Sequence, residues 1–136
     1  MTTNADEEMI ARDGKFTIGE AYQLFQNVPI EIAIYDLEGC YKYVNKHYTI
    51  DEHIRQDIIG KDDSYYFNKV GISLECAEKR IEYFHQAKNE KRTIRFTERI
   101  YYTQKGKIRY YKRSYQPIFD SENRNKYQES VCLAAI

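Results

Sequence analysis

Pro29-Ile30-Glu31-Ile32-Ala33-Ile34-Tyr35-Asp36-Leu37-Glu38-Gly39-Cys40-Tyr41-Lys42-Tyr43-Val44-Asn45 is the stretch on which the fold turns. Two β-rich runs, Glu31 to Asp36 and Cys40 to Val44, flank Leu37-Glu38-Gly39, which has tight-turn composition. The segment therefore reads as a β-hairpin. Pro29 stops any helix arriving from the N-terminal side, because its ring blocks helical geometry in the residue before it. Asn45 is a good N-cap, and Thr49-x-x-Glu52 has the capping-box spacing, so short helices are expected between Lys46 and Ile59, closed by Gly60.

Working outward, Thr17-Ile18-Gly19-Glu20 has the same capping-box spacing, and Ile18, Ala21, Phe25 and Val28 recur at three- and four-residue steps. An amphipathic helix is expected over 16–28, behind a loose acidic leader over 1–15. Downstream, Asp62-Asp63 can cap a short helix with Tyr65, Tyr66 and Phe67, and Ser73 can cap a long one from Leu74 to about Asn89. Its expected core stripe is Leu74, Ala77, Ile81 and Phe84. Thr93 to Thr103, Ile108 to Phe119 and Lys126 to Ile136 read as strands, the first two joined at Gln104-Lys105-Gly106-Lys107. Five strands with helices inserted after the second predict an α+β fold, an antiparallel sheet with helices gathered on one face.

Composition narrows the function. The 136 residues suit one domain, and 21 basic against 21 acidic side chains leave no global field for nucleic acid or anionic lipid. Apolar runs reach only about six residues against the roughly 20 of a membrane span, and no secretory leader is read. Cys40, Cys76 and Cys132 are odd in number and widely spaced, which suits a reducing, cytoplasmic compartment rather than a disulfide scaffold or zinc site. With 14 Tyr, 6 Phe and no Trp, tyrosines must fill much of the interior, and their hydroxyls need partners.

The order of elements and its punctuation resemble the PAS domain, a sensory module of bacterial signalling proteins. The resemblance rests on Pro29 to Asp36 with Gly39, Tyr43-Val44-Asn45, Ile58-Ile59-Gly60-Lys61, the Gly106 turn and Gln116-Pro117-Ile118-Phe119-Asp120. It spans about Asn27 to the C-terminus, and Tyr43 to Tyr65 is similar to the PAS sensors of histidine kinases. It implies a PAS domain over 29–136 that holds a small ligand or senses through dimer contacts. It further implies a change passed along the final strand to a C-terminal effector, a histidine kinase or a diguanylate cyclase. Ala134 stands where family members usually have the coupling Asp.

The same resemblance bears on cofactors. Adduct-forming flavin domains need Cys in a Gly-Arg-Asn-Cys-like segment; here it is Gly60-Lys61-Asp62-Asp63, so that photochemistry is excluded and no other cofactor is specified. Haem domains take an imidazole from the long helix, but His85 falls later than that position, which argues against haem. His47, Asp51 and His53 do not converge on one helical face and read as solvated rather than metal-binding.

The hairpin from Lys91 to Arg113 carries nine basic residues against Glu98 alone, a local charge of +8, interleaved with Phe96, Tyr101, Tyr102, Tyr110 and Tyr111. Such a surface can stack single-stranded nucleic acid, but the neutral chain argues for a solvated face. Alternation places Tyr111, Arg113 and Tyr115 on one face. If that face is inner, Arg113 can fork onto an anionic ligand in a pocket lined by Ala33, Tyr35, Tyr43, Phe67, Ile81, Phe84, Tyr101, Tyr111, Tyr115 and Cys132. Equally, Arg113 can pair internally with Asp63 or Glu98 while tyrosines fill the space.

No phosphate loop and no nucleophile with a supported base is present, so the domain reads as a non-enzyme. The enzymatic alternative is a cone-shaped α+β isomerase or hydratase using a Tyr–Asp pair. Phe16, Tyr22, Leu24 and Phe25 give the N-terminal helix more apolar surface than one contact stripe consumes, which suits a homodimer, including a ligand-free dimerisation module.

Overall fold

β-prone Met9-Ile10 and Phe16-Thr17 pair as a short antiparallel hairpin of β1 (Glu8–Ala11) and β2 (Gly14–Thr17), with Glu8 opposite Thr17 and Ala11 opposite Gly14. The leader expected to be loose thus contributes two strands, and Phe16-Thr17 belong to β2 rather than to a helix. The computed structural model describes residues 8–11, 14–17, 24, 26, 28–120, 122 and 124–135, with side chains for 24, 26, 28–120, 122 and 124–130. Of the helix expected over 16–28, Leu24 and Gln26 are helical, Val28 lies in a bend, and residues 18–23, 25 and 27 lie outside the described residues.

The main sheet is built from β3 (Glu31–Tyr35), β4 (Tyr41–Val44), β5 (Ile94–Tyr102), β6 (Lys107–Phe119) and β7 (Asn125–Ala135). The strand order is β4-β3-β7-β6-β5, with every neighbouring pair antiparallel. This is the expected α+β architecture. Three helices, α1 (Glu52–Ile58), α2 (Asp63–Val70) and α3 (Leu74–Glu90), pack on its inner face. No helix among the described residues is long and apolar enough to cross a membrane.

Local chemistry sets the boundaries. Gly39 turns the β3–β4 hairpin at φ +87°, where a Cβ would be strained. Asn45 does not cap a helix. It is fully buried, its Oδ1 accepts from the amides of Ile32 (3.1 Å) and Tyr48 (3.0 Å), and its Nδ2 donates to the Ile30 carbonyl (2.7 Å). Asn45 thereby ties the end of β4 to the start of β3. The capping box at Thr49 is not the one used: Asp51 caps α1, accepting from the amides of His53 and Ile54. Asp62 caps α2 and Ser73 caps α3, as their side chains foretell.

Two positions differ in facing. The buried face of α3 is Cys76, Ala77, Arg80, Phe84 and Ala87, while Leu74 and Ile81 are 51% and 46% exposed. The helix is rolled because Arg80 turns inward to meet Glu98. In the first hairpin Tyr35 pairs with Tyr41 and Ile34 with Tyr43, a register shift that leaves Lys42 as a bulge. Tyr41 therefore faces the core, and Tyr43 faces out beside Ile34, Tyr127 and Ile118.

The inner core is aromatic. Tyr35, Tyr41, Tyr115 and Phe67 are fully buried. Tyr35 packs edge-on to Phe84 and Tyr115 at 5.6 and 6.0 Å between centroids. Each such ring contributes about 1.5–3 kcal/mol of transfer free energy, before the cost of its hydroxyl is met.

Candidate functional site

The tyrosine hydroxyls end in a charged knot between the helices and the sheet. Asp63, in the first turn of α2, accepts on Oδ1 from the hydroxyls of Tyr35 (2.9 Å) and Tyr41 and from Arg80 Nη1 (3.2 Å). Arg80, midway along α3, forks onto Glu98 of β5, with Nε on Oε2 and Nη2 on Oε1 at 2.9 Å. Its Nη1 also donates to the Tyr48 hydroxyl at 2.7 Å, which in turn meets the Tyr41 hydroxyl at 2.7 Å. Arg113 of β6 donates through Nε to Glu98 (2.7 Å), through Nη1 to Ser130 of β7 (3.1 Å) and through Nη2 to Glu31 of β3 (3.4 Å). One network thus links α2, α3, β3, β4, β5, β6 and β7.

Its electrostatics are self-consistent. Burial pushes the Glu98 carboxyl up, but the guanidinium groups of Arg113 and Arg80 overcome it and hold the group at about 2. For Arg80, burial works against the charge and is outweighed by Glu98, Tyr48 and Asp63. Burial, then the Asp63 charge, drives the Tyr35 and Tyr41 hydroxyls well above the usual phenol range, so both stay protonated donors. Arg80 also lies over the Phe67 ring, 4.6 Å from its centroid. Buried charges survive here because each carries several partners.

A cavity of about 60 Å³ opens against this knot, lined by Glu31, Tyr48, Arg80, Tyr102, Tyr111 and Arg113 among others. Tyr102 and Tyr111 share a 2.9 Å hydrogen bond. Glu31 is the most solvated member of the network, its side chain 28% exposed against 2% for Arg113. The site can thus present a guanidinium edge and phenolic hydroxyls to a group of very few atoms.

The expected pocket residues divide. Ala33, Tyr35, Phe67, Phe84, Arg113 and Tyr115 come together in the interior, and Tyr111 stands at its edge. Tyr43 is on the other face, where its hydroxyl donates to Gln26 Oε1 at 2.8 Å. Ile81 is on the wet side of α3, and Tyr101 lines a groove beside β5. The backbone of Cys132 lies opposite Glu31 and Arg113, and its side chain lies outside those described. Of the two readings open for Arg113, internal pairing with Glu98 is built, while the cavity still touches it.

Residues the sequence reading passed over include Tyr41, Tyr48, Arg80 and Glu31. Arg80 had a usable signal, since it lies four residues after Cys76 and four before Phe84, on the core face. The Tyr–Asp pairing considered for acid–base chemistry is built by Tyr35, Tyr41 and Asp63, but Arg80 shares the same carboxylate oxygen. Asp63, at the flavin-cysteine position, is committed to those three partners. His85, His47, Asp51 and His53 are exposed, and no three His, Cys, Asp or Glu among the described residues are placed to hold a metal ion. In the basic hairpin every cation but Arg113 is exposed.

No protein-family model and no curated protein matches this sequence. Solved structures do match. The PAS domain of BvgS from Bordetella pertussis superposes with a TM-score of 0.69 at 19% identity, over 85% of this chain and 84% of that one. The PAS domain of a protein from Colwellia psychrerythraea gives 0.60 at 16%, over 85% and 94%. VqmA of Vibrio cholerae, as a dimer without its target DNA, gives 0.68 at 19%, over 87% of this chain and 51% of that one. The present chain spans about half the length of the VqmA chains it matches. A sheet ordered β4-β3-β7-β6-β5, three helices on one face and these superpositions agree: the chain has the PAS fold.

Proposed function

We propose that this PAS domain, over 29–136, is the sensory input module of a larger cytoplasmic bacterial signalling protein and works as a homodimer. A histidine kinase is the parent suggested by the Tyr43 to Tyr65 stretch. Its input is a small anionic or carboxylate-bearing molecule at the cavity beside Glu31 and Arg113. One observation carries this: Arg113 holds Glu31 only at 3.4 Å, beside about 60 Å³ of space, while its other donors are engaged at 2.7 and 3.1 Å. An incoming carboxylate replaces Glu31 on the guanidinium edge. Because the same guanidinium bonds Ser130, the exchange is felt on β7, the last strand, and shifts the population of sheet–helix packings. VqmA supports the general scheme, having been solved bound to DPO and, separately, with ligand and DNA.

A second reading, a ligand-free dimerisation relay, draws on the filling of the interior by Tyr35, Tyr41, Tyr115 and Phe67. Native mass spectrometry of the purified chain, followed by a denaturing run, separates the two. A dimer with extra mass that is lost on denaturation supports the ligand-holding sensor. A bare dimer that gains no mass from small carboxylates favours the relay, and a bare monomer sinks the dimer.

A further inference from the structure

Strand β5 is an edge of the sheet, and among the described residues only one end of its free side is covered. There Ile72 bridges Tyr102, the Ser73 amide donates to the Tyr101 carbonyl at 2.9 Å, and the Thr103 amide donates to the Gly71 carbonyl at 2.8 Å. Odd-numbered residues therefore turn their backbone groups outward, and alternation carries this back to Arg99, Thr97 and Arg95. Cys76 Sγ approaches the Arg99 carbonyl at 3.4 Å. Among the described residues, the outward amides of Arg95, Thr97 and Arg99 and the carbonyls of Arg95 and Thr97 have no other partner. An unpaired edge is a template for a further strand.

The edge also has a wall. After Ser73 the chain rises into α3, leaving a groove of about 700 Å³ between that helix and β5. On the helix side Glu75, Glu78 and Glu82 recur at three- and four-residue spacing, all exposed, with Lys79 bonded to Glu82 at 3.4 Å. Tyr83 and Phe96 stack in the groove at 4.0 Å and 7°. On the opposite sheet face, the side chains of Arg95 and Arg99 flank the same edge, by alternation with the inward Phe96 and Glu98.

We propose that the groove between α3 and β5 is a strand-addition site for an extended segment of a partner protein carrying Lys or Arg at alternate positions. Main-chain bonds to Arg95, Thr97 and Arg99 supply the pairing, and alternate side chains fall into two environments. Those on the helix side meet Glu75 and Glu78 and the Tyr83–Phe96 stack, which suits cations. Those on the other side meet Arg95 and Arg99, which excludes them. The acidic wall thus selects both the charge and its two-residue period.

The probe is the labelled heptapeptide Ac-Lys-Thr-Lys-Val-Lys-Thr-Lys-NH2, titrated into the full chain by fluorescence anisotropy with amide hydrogen exchange read in parallel. Binding that slows exchange at Thr97 and Arg99 at least tenfold is expected. Affinity should fall at least tenfold in Glu75→Lys/Glu78→Lys, two exposed sites whose change leaves the fold intact. N-methylation of the peptide amides that face β5 should abolish binding, whereas methylation of the intervening amides should spare it. Binding indifferent to N-methylation, or no protection over 95–101 at millimolar peptide, overturns the proposal. Protection that rises with protein concentration without peptide makes a second copy the occupant and equally overturns it.

Discussion

Glu98 and Glu129 lie on opposite faces of one sheet, 5% and 8% exposed, yet their carboxyls are driven in opposite directions. Glu98 faces two guanidinium groups that outweigh its desolvation and hold it at about 2. Glu129, beside Ile34 and opposite Gln116, has among the described residues one neutral amide as its hydrogen-bond partner, so desolvation wins and its carboxyl is pushed up. Burial alone does not decide a carboxylate's state; the cations facing it do. The inner face is thereby built for a permanent charge, the outer face for a reluctant one.

The contrast between the two faces is largest at Glu98. Glu98→Gln leaves Arg80 and Arg113 buried without their shared anion, and a loss of about 3–5 kcal/mol in urea unfolding is expected. A variant within about 1 kcal/mol of the parent would show that Asp63 and Glu31 suffice to neutralise the pair.

The pH dependence comes next. Glu98 has a folded value of about 2 against an ordinary 4.5, so its contribution is present above 4.5 and fades as pH falls through 2. That contribution is of the order of 3 kcal/mol, and the Glu98→Gln variant should lack this part of the acid limb.

The smallest effect is at Glu129, where the sign reverses. Its folded value is raised, so the native state holds the proton longer than the unfolded chain, and stability falls as pH rises through the raised value. Glu129→Gln should therefore stabilise at pH 7, and the gain should vanish below the ordinary 4.5. Equal stability of variant and parent across that range would remove the contrast between the faces.

How far the sequence reached can be judged element by element. The three hairpin strands of the last third, the Gly39 turn and the caps at Asp62 and Ser73 were legible, because alternation and capping act between residues close in sequence. The roll of α3 was not. A stripe of Leu74, Ala77, Ile81 and Phe84 satisfies helical spacing as well as Cys76, Ala77, Arg80, Phe84 and Ala87 does, and apolarity favours the wrong one. Arg80 goes inside to meet Glu98, eighteen residues away on the facing strand, with Asp63 and Tyr48 as its further partners. Tyr43 was misplaced for a similar reason: the bulge at Lys42 shifts the face of everything beyond it, and a bulge is a property of two strands together.

The order of elements, the antiparallel sheet with helices on one face, and an interior of tyrosines that need partners were all written in the chain. Those follow from propensities and periods that each segment carries alone. Only the tertiary structure decided which partners they found. The Asp63–Arg80–Glu98–Arg113 knot, the small cavity beside Glu31 and the half-open edge of β5 all depend on groups brought together from distant parts of the chain. Their energies are interaction energies, which no single segment contains.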